Sequence, residues 1–314
     1  MFTKTILFIL SAIIIYLILQ NGYLISAISQ IKNTTFYISL REYENNEKFN
    51  NAIKCMPTYK DIDTLYDDKN SYNFYIAGHT YGNSSKPDNK GLYPKFYEKL
   101  NTLNNSKAID FIVLTGDVVQ NSTIKSWNIV KKQLQDLGMR TYISPGSHDV
   151  GHGKDNAKRD IFKSMFGDTY FYFYHKNDLF IILDPNLDNG NISGRQLKFL
   201  NDLLEKKEKV NNIFVFSHQV IWASNFRDLI SPNNSYETET NFWPIIAPLF
   251  DIQKEQIYFI AGDVGDKING SELFCIENNN IKYIASGMGA GKRDNYLTVQ
   301  ITGGNVSIKP VLMP

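Results

Sequence analysis

"FIVLTGDVV", residues 111–119, runs through four apolar residues and stops at Thr-Gly-Asp. A stretch that is apolar at every position, and not at every second one, reads as a strand covered on both faces. The glycine lets the chain turn sharply at its end, which leaves Asp117 at the strand's C-terminal edge. The same arrangement recurs on either side. "FYIA" from Phe74 runs into "GHTYG" (78–82), and "TYIS" from Thr141 runs into "PGSHD" (145–149). "LFIIL" from Leu179, "IFVFS" from Ile213 and "IYFIA" from Ile257 also read as buried strands, the last two ending in "SHQ" (217–219) and "GDVGD" (262–266).

Helical patterns separate these strands. In "TIKSWNIVKKQLQDLG" (123–138), Ile124, Trp127, Val130, Leu134 and Leu137 recur at helical spacing, and Gly138 suits the C-terminal cap. A second helix, from Gly194 to about Lys207, sets Leu197, Leu200 and Leu204 on one face. Strands alternating with helices predict an α/β layered fold with its chemistry at the strand C-termini. Three of the chain's five histidines, His79, His148 and His218, stand at such ends. Carboxylate oxygen mixed with imidazole suits Zn, Mn or Fe better than Ca.

Composition bounds the rest. A chain of 314 residues that is 43% hydrophobic and 13% aromatic can bury a large core. Its 33 basic and 32 acidic residues leave a net charge of +1, which gives no electrostatic footprint for nucleic acid. "TILFILSAIIIYLIL" (5–19) follows Lys4 without a charged residue, so residues 1–29 are expected to be a signal peptide or membrane anchor that sends the body across the membrane. A polar lead-in over 30–70 and one domain over 71–314 are expected to follow. Cys55 and Cys275 are too few for a disulfide scaffold or a cysteine zinc site, and suit an exported chain that either pairs them or leaves them inert.

The order strand, "GD", helix, strand, "GSHD", a lone His after "VFS" and then a Gly-acid turn resembles the calcineurin-like metallophosphoesterases over about residues 72–300. "FIVLTGDVV" and "PGSHD" are its specific pieces, and "LDPNLDNGNISGRQLKFLNDLL" (183–204) resembles the segment that follows in that family. The resemblance implies a β-sandwich flanked by helices and hydrolysis of a phosphorylated substrate at a centre of one or two Mn, Fe or Zn ions. It implies that Asp117 is the carboxylate that bridges metals, His218 a metal ligand, and His148 the acid that protonates the leaving group, oriented by Asp149.

Other positions depart from the family pattern. Aligned so that Gly82 also matches, His79 stands where the family has an Asp and Tyr81 where it has a His, to serve either as a ligand or as a wall of the pocket; a shift by two would instead make His79 the family histidine and put Ala77 in place of the acid. Ser147 replaces a metal-binding Asn, and the closing Gly-His-x-His becomes "GDVG", with Asp263 and Gly265 in the histidine positions. Ligand types are exchanged more than lost, so His79, Asp117, Ser147, His218 and Asp263 form the expected metal set. The loop at 227–244 directly follows the His218 strand and is expected to rim the pocket. Two other classes compete: an exported binding protein that keeps the fold without turnover, and a serine esterase pairing Ser147 with His148. The second is disfavoured, because neighbours in a turn seldom face each other and no "GxSxG" occurs.

Overall fold

The computed structural model describes residues 47–57, 70–83, 85, 91–104, 109–154, 156–230, 232–234, 239–267 and 271–313. The apolar run at 5–19 lies outside them. Among the described residues no helix is long and apolar enough to cross a membrane. By contacts the chain divides into residues 1–50 and 51–314. Of the first unit only 47–50 are described, as the start of helix α1 (47–55).

The larger unit holds two mixed sheets. The first has the order β11-β10-β1-β2-β3, with β1 (Tyr72–Ala77), β2 (Phe111–Leu114) and β3 (Thr141–Ile143) parallel, and β10 (Asp294–Thr302) and β11 (Asn305–Met313) antiparallel beside β1. The second has the order β4-β5-β6-β7-β9-β8. In it β5 (Asp178–Ile182), β6 (Asn212–Ser217), β7 (Gln256–Ala261) and β9 (Ile281–Ser286) are parallel, while β4 (Phe171–His175) and β8 (Leu273–Asn278) are antiparallel edges.

Each central strand is apolar throughout because both of its faces are covered. Phe74 and Phe111 of the first sheet meet Phe180 and Phe214 of the second edge-to-face, with ring centroids 5.3–5.4 Å apart. These rings, extended by Phe173, Phe216 and Tyr258, pack in the seam between the sheets. The alternate residues, Tyr75, Ala77, Ile112 and Leu114, turn outward into a core shared with α2 (Pro94–Asn104), α3 (Ile124–Leu137) and α5 (Ala157–Phe166). On the other side Leu179, Ile181, Ile213, Val215 and Phe259 pack with α6 (Gly194–Lys206).

Both helices read from the sequence are present. The α3 helix starts at Thr123, whose hydroxyl accepts the Ser126 N–H at 3.0 Å, and ends at Gly138 with φ 62°. Trp127, Val130, Leu134 and Leu137 are buried as expected. Ile124 is not: it overhangs the first turn and is 60% exposed.

Candidate metal centre

The turns after β1, β2, β6 and β7 bring four side chains from both sheets to one buried point. Asp117 follows Gly116 in a tight turn in which both residues have positive φ, 51° and 79°. Its Oδ1 accepts the backbone N–H of His148 at 3.0 Å, which ties the β2 turn to the β3 turn. A Cβ on Gly146 would overlap that same carboxylate, and one on Gly116 would overlap the His218 ring, so neither position admits a larger residue in this backbone.

Asp117 Oδ2 lies 3.2 Å from His218 Nε2 and 3.8 Å from His79 Nε2, and Asp263 Oδ1 lies 3.6 Å from His218 Nε2. One ligand atom from each of Asp117, His218 and Asp263 lies within 4.8 Å of the others, and all three residues are buried. His218 Nδ1 sits 2.8 Å from the Thr115 carbonyl, and a hydrogen bond donated there leaves the lone pair of Nε2 facing the carboxylates. Nε2 is buried with no hydrogen-bond partner, as is Nδ1 of His79. The orphaned His218 Nε2 beside two carboxylates is what a cation site requires, and the donor set fits a transition metal.

The electrostatics agree. Burial alone would lower the His218 pKa, yet Asp117 and Asp263 raise it well above its ordinary value. Two carboxylates that stabilise a positive ring so strongly would equally stabilise a metal cation on Nε2. Burial would raise the Asp117 carboxyl, but His218 and His79 outweigh it and hold the pKa low. Burial dominates at His79 and keeps its pKa below the ordinary value, so that ring is neutral and able to ligate.

Other positions resolve differently from the sequence reading. His148 is half-buried with its Nδ1 2.7 Å from the Gln120 carbonyl, so Gln120 orients the ring in place of the expected Asp149. Asp149 is taken up by backbone amides: Oδ1 accepts from Val118 and Val119 at 2.9 and 3.1 Å, and Oδ2 from Gly146 at 2.9 Å. Burial and the nearby Asp117 push its pKa up to about 7. It staples the two turns together. Ser147 is half-buried at the start of the short helix α4 (Ser147–Val150), where its carbonyl accepts the Gly151 N–H at 2.8 Å.

Tyr81 is 1% exposed, its ring 4.5 Å from that of His79 and 5.0 Å from that of His148. Burial raises its pKa, so it walls the site as a neutral phenol. Gly265 proves more than a missing ligand. A Cβ there would overlap the Met288 carbonyl, so no histidine fits at that position without moving the loop after β9.

Three contributors were not marked by any motif in the sequence. Asn233 Nδ2 donates to Asp263 Oδ1 at 2.7 Å and Asn234 Nδ2 to Oδ2 at 2.6 Å, placing part of the 227–244 loop on the centre. Asn186 brackets the "PGSHD" turn from the second sheet, donating to the Pro145 carbonyl at 3.0 Å and accepting from the Gly153 N–H at 2.8 Å.

A two-sheet α/β sandwich with an acid–imidazole cluster where its parallel strands end defines the class of this protein. The sequence model of the calcineurin-like phosphoesterases matches residues 79–287, more than half of the chain, and the chain belongs to that family. It is 26% identical over 94 residues to a protein of Arcobacter nitrofigilis named "Probable glycerophosphodiester phosphodiesterase GpdQ", a match covering 30% of this chain and 31% of that one. The chain thus spans about a third of the length of that curated relative. Among solved structures it resembles the NAD nucleotidase of Haemophilus influenzae, at 14% identity and TM-score 0.44, over 77% of this chain and 50% of that one. It also resembles Vps29 of Entamoeba histolytica, at 9% identity and TM-score 0.34, over 77% and 99% of the two chains.

Proposed function

We propose that this protein hydrolyses a phosphoester with the help of a transition-metal ion held by Asp117, His218 and Asp263, with His79 beside them. The observation that carries the reading is the convergence of those three buried ligands within 4.8 Å. When bound, such an ion supplies Lewis-acid polarisation of the phosphoryl group and lowers the pKa of water. His148 is the general acid. With Nδ1–H given to Gln120, Nε2 is the nitrogen that passes a proton to the departing alkoxide. Tyr81 fills the space between His79 and His148 and keeps bulk water from that side.

Phosphodiesters are the first substrates to test, because the curated relative is named as a phosphodiesterase. The body is proposed to work outside the cytoplasm, as the apolar run behind Lys4 suggests. The bond between Cys55 and Cys275 supports this, since such bonds persist in oxidising compartments.

Elemental analysis tests the centre. The purified chain should hold about one transition-metal ion, and Asp117→Ala should release it and abolish hydrolysis of bis(p-nitrophenyl) phosphate. A folded wild-type chain that takes up no metal after loading and turns over no phosphoester would be a binding protein that has kept the fold.

A further inference from the structure

Asp263 is the carboxylate that stands where the resembled family has a neutral histidine, and it is 2% exposed. Its Oδ1 faces His218 Nε2 at 3.6 Å, so the orientation of this one side chain sets whether the three ligands converge. Torsion about the bond to a carboxylate group is broad, and packing alone defines it poorly. Here each oxygen is met by a separate amide, Asn233 Nδ2 on Oδ1 and Asn234 Nδ2 on Oδ2. Asn233 Nδ2 also reaches the Gly265 carbonyl at 3.1 Å, and the Asp263 N–H donates to the His218 carbonyl at 2.9 Å. The "GDVG" turn is thereby stitched on one side to a ligand strand and on the other to the loop.

We propose that Asn233 and Asn234 are positioning residues that hold the Asp263 carboxylate in ligating orientation and so set the metal affinity of the centre. This rests on the metal-centre reading above. Two buried carboxylates, Asp117 and Asp263, share the site, and hydrogen bonds donated to the second stabilise it as an anion while leaving it lone pairs for a cation. An Asp oxygen pair has about four acceptor positions, of which the amides take two. Groups that hold a ligand from behind typically change metal affinity about 10- to 100-fold when removed.

Titration of the metal-free protein with Mn(II) or Zn(II) against a competing chelator tests this. Asn233→Ala and Asn234→Ala should each weaken binding about 10- to 100-fold in metal-free protein that still unfolds in one cooperative transition. The isosteric changes Asn233→Asp and Asn234→Asp should weaken it at least as much as alanine, because they set a carboxylate against Asp263 where an amide donor stood. A side chain that merely fills space would give the opposite order, with the Asp variants near wild type. Wild-type protein that binds no metal overturns the centre and the clamp together. Wild-type protein that binds metal while Asn233→Ala/Asn234→Ala stays within about twofold of it overturns the clamp alone.

Discussion

His148 carries the catalytic proposal at the level of a single residue. Its ring is held at Nδ1 by Gln120 and backed by Tyr81, so the variant His148→Ala removes a proton donor without touching Asp117, His218 or Asp263. Hydrolysis of esters with poor alkoxide leaving groups should fall about 100-fold or more, while activated aryl esters, which leave without a proton, should lose much less. Equal losses on both, measured as kcat/KM across a leaving-group series, would assign His148 to structure instead. Asp117, His218 and Asp263 were legible in the sequence because each directly follows an unbroken apolar strand, a position that topology turns toward one end of the sandwich. The role of Asp149 was not legible. Adjacency in sequence suggested that it orients His148, but the short helix α4 sends the two side chains apart, to Gln120 and to the amides of residues 118, 119 and 146. Nor could Asn233 and Asn234 be found, since no periodicity marks where a loop returns to the site.

Among the elements, the strands with a short unbroken apolar or aromatic run were the readable ones, whether central or, like β3, at a sheet edge. The six strands expected from apolar runs are β1, β2, β3, β5, β6 and β7. The five not anticipated lie at or near sheet edges or carry polar residues. Pro310 interrupts β11, an outermost strand that tolerates the missing N–H. Buried β9 hides behind Lys282, whose ammonium bonds to Glu277 and the Cys55 carbonyl at 2.6 and 3.3 Å. At the opposite end of the strands from the candidate metal centre, β1, β5 and β6 are pinned by a polar joint. Tyr72 donates to Asp178 Oδ2 at 2.6 Å, while the Asn212 backbone and side-chain N–H groups donate to Oδ1 at 2.9 and 2.8 Å. Burial outweighs these bonds and raises the Asp178 pKa. A carboxyl whose folded pKa exceeds its unfolded value contributes stability that is complete below the unfolded value, near 4, and is lost as pH rises through the folded one. An asparagine in place of Asp178 would keep the acceptor for Asn212 and offer Tyr72 a donor, with no charge to bury. Thermal midpoints of Asp178→Asn should therefore gain on wild type as pH is raised from about 4 to 7.5. A difference between the two that is constant with pH would show that Asp178 titrates alike in both states.

For the molecule as a whole, the two cysteines that composition left open are paired across 220 residues of sequence. The bond between Cys55 and Cys275 joins the residues that end α1 to β8 at the edge of the second sheet. The same segment is held by the buried side chains of Ala52 and Met56 and by the Pro57 carbonyl, which accepts the Ile308 N–H at 2.8 Å. Loop-closure entropy for a crosslink of that span is about 5 kcal/mol, and native disulfides usually deliver about 2–5 kcal/mol when removed. The bond and these noncovalent contacts together hold the segment against β8 and β11. The double variant Cys55→Ser/Cys275→Ser should lower the thermal midpoint by roughly 5–15 °C, and a reductant should do the same to wild type. Activity in the remaining folded protein should persist, because no residue of the metal cluster lies on α1 or β8. The export proposal makes a paired demand. Chain recovered from intact cells should show no free thiol and be digested by added protease, whereas chain trapped in a reducing cytosol should carry two thiols and the lower midpoint. Reduction that leaves the midpoint unchanged would make the bond dispensable to the fold. Two free thiols on a protease-protected chain would place the protein inside the cell.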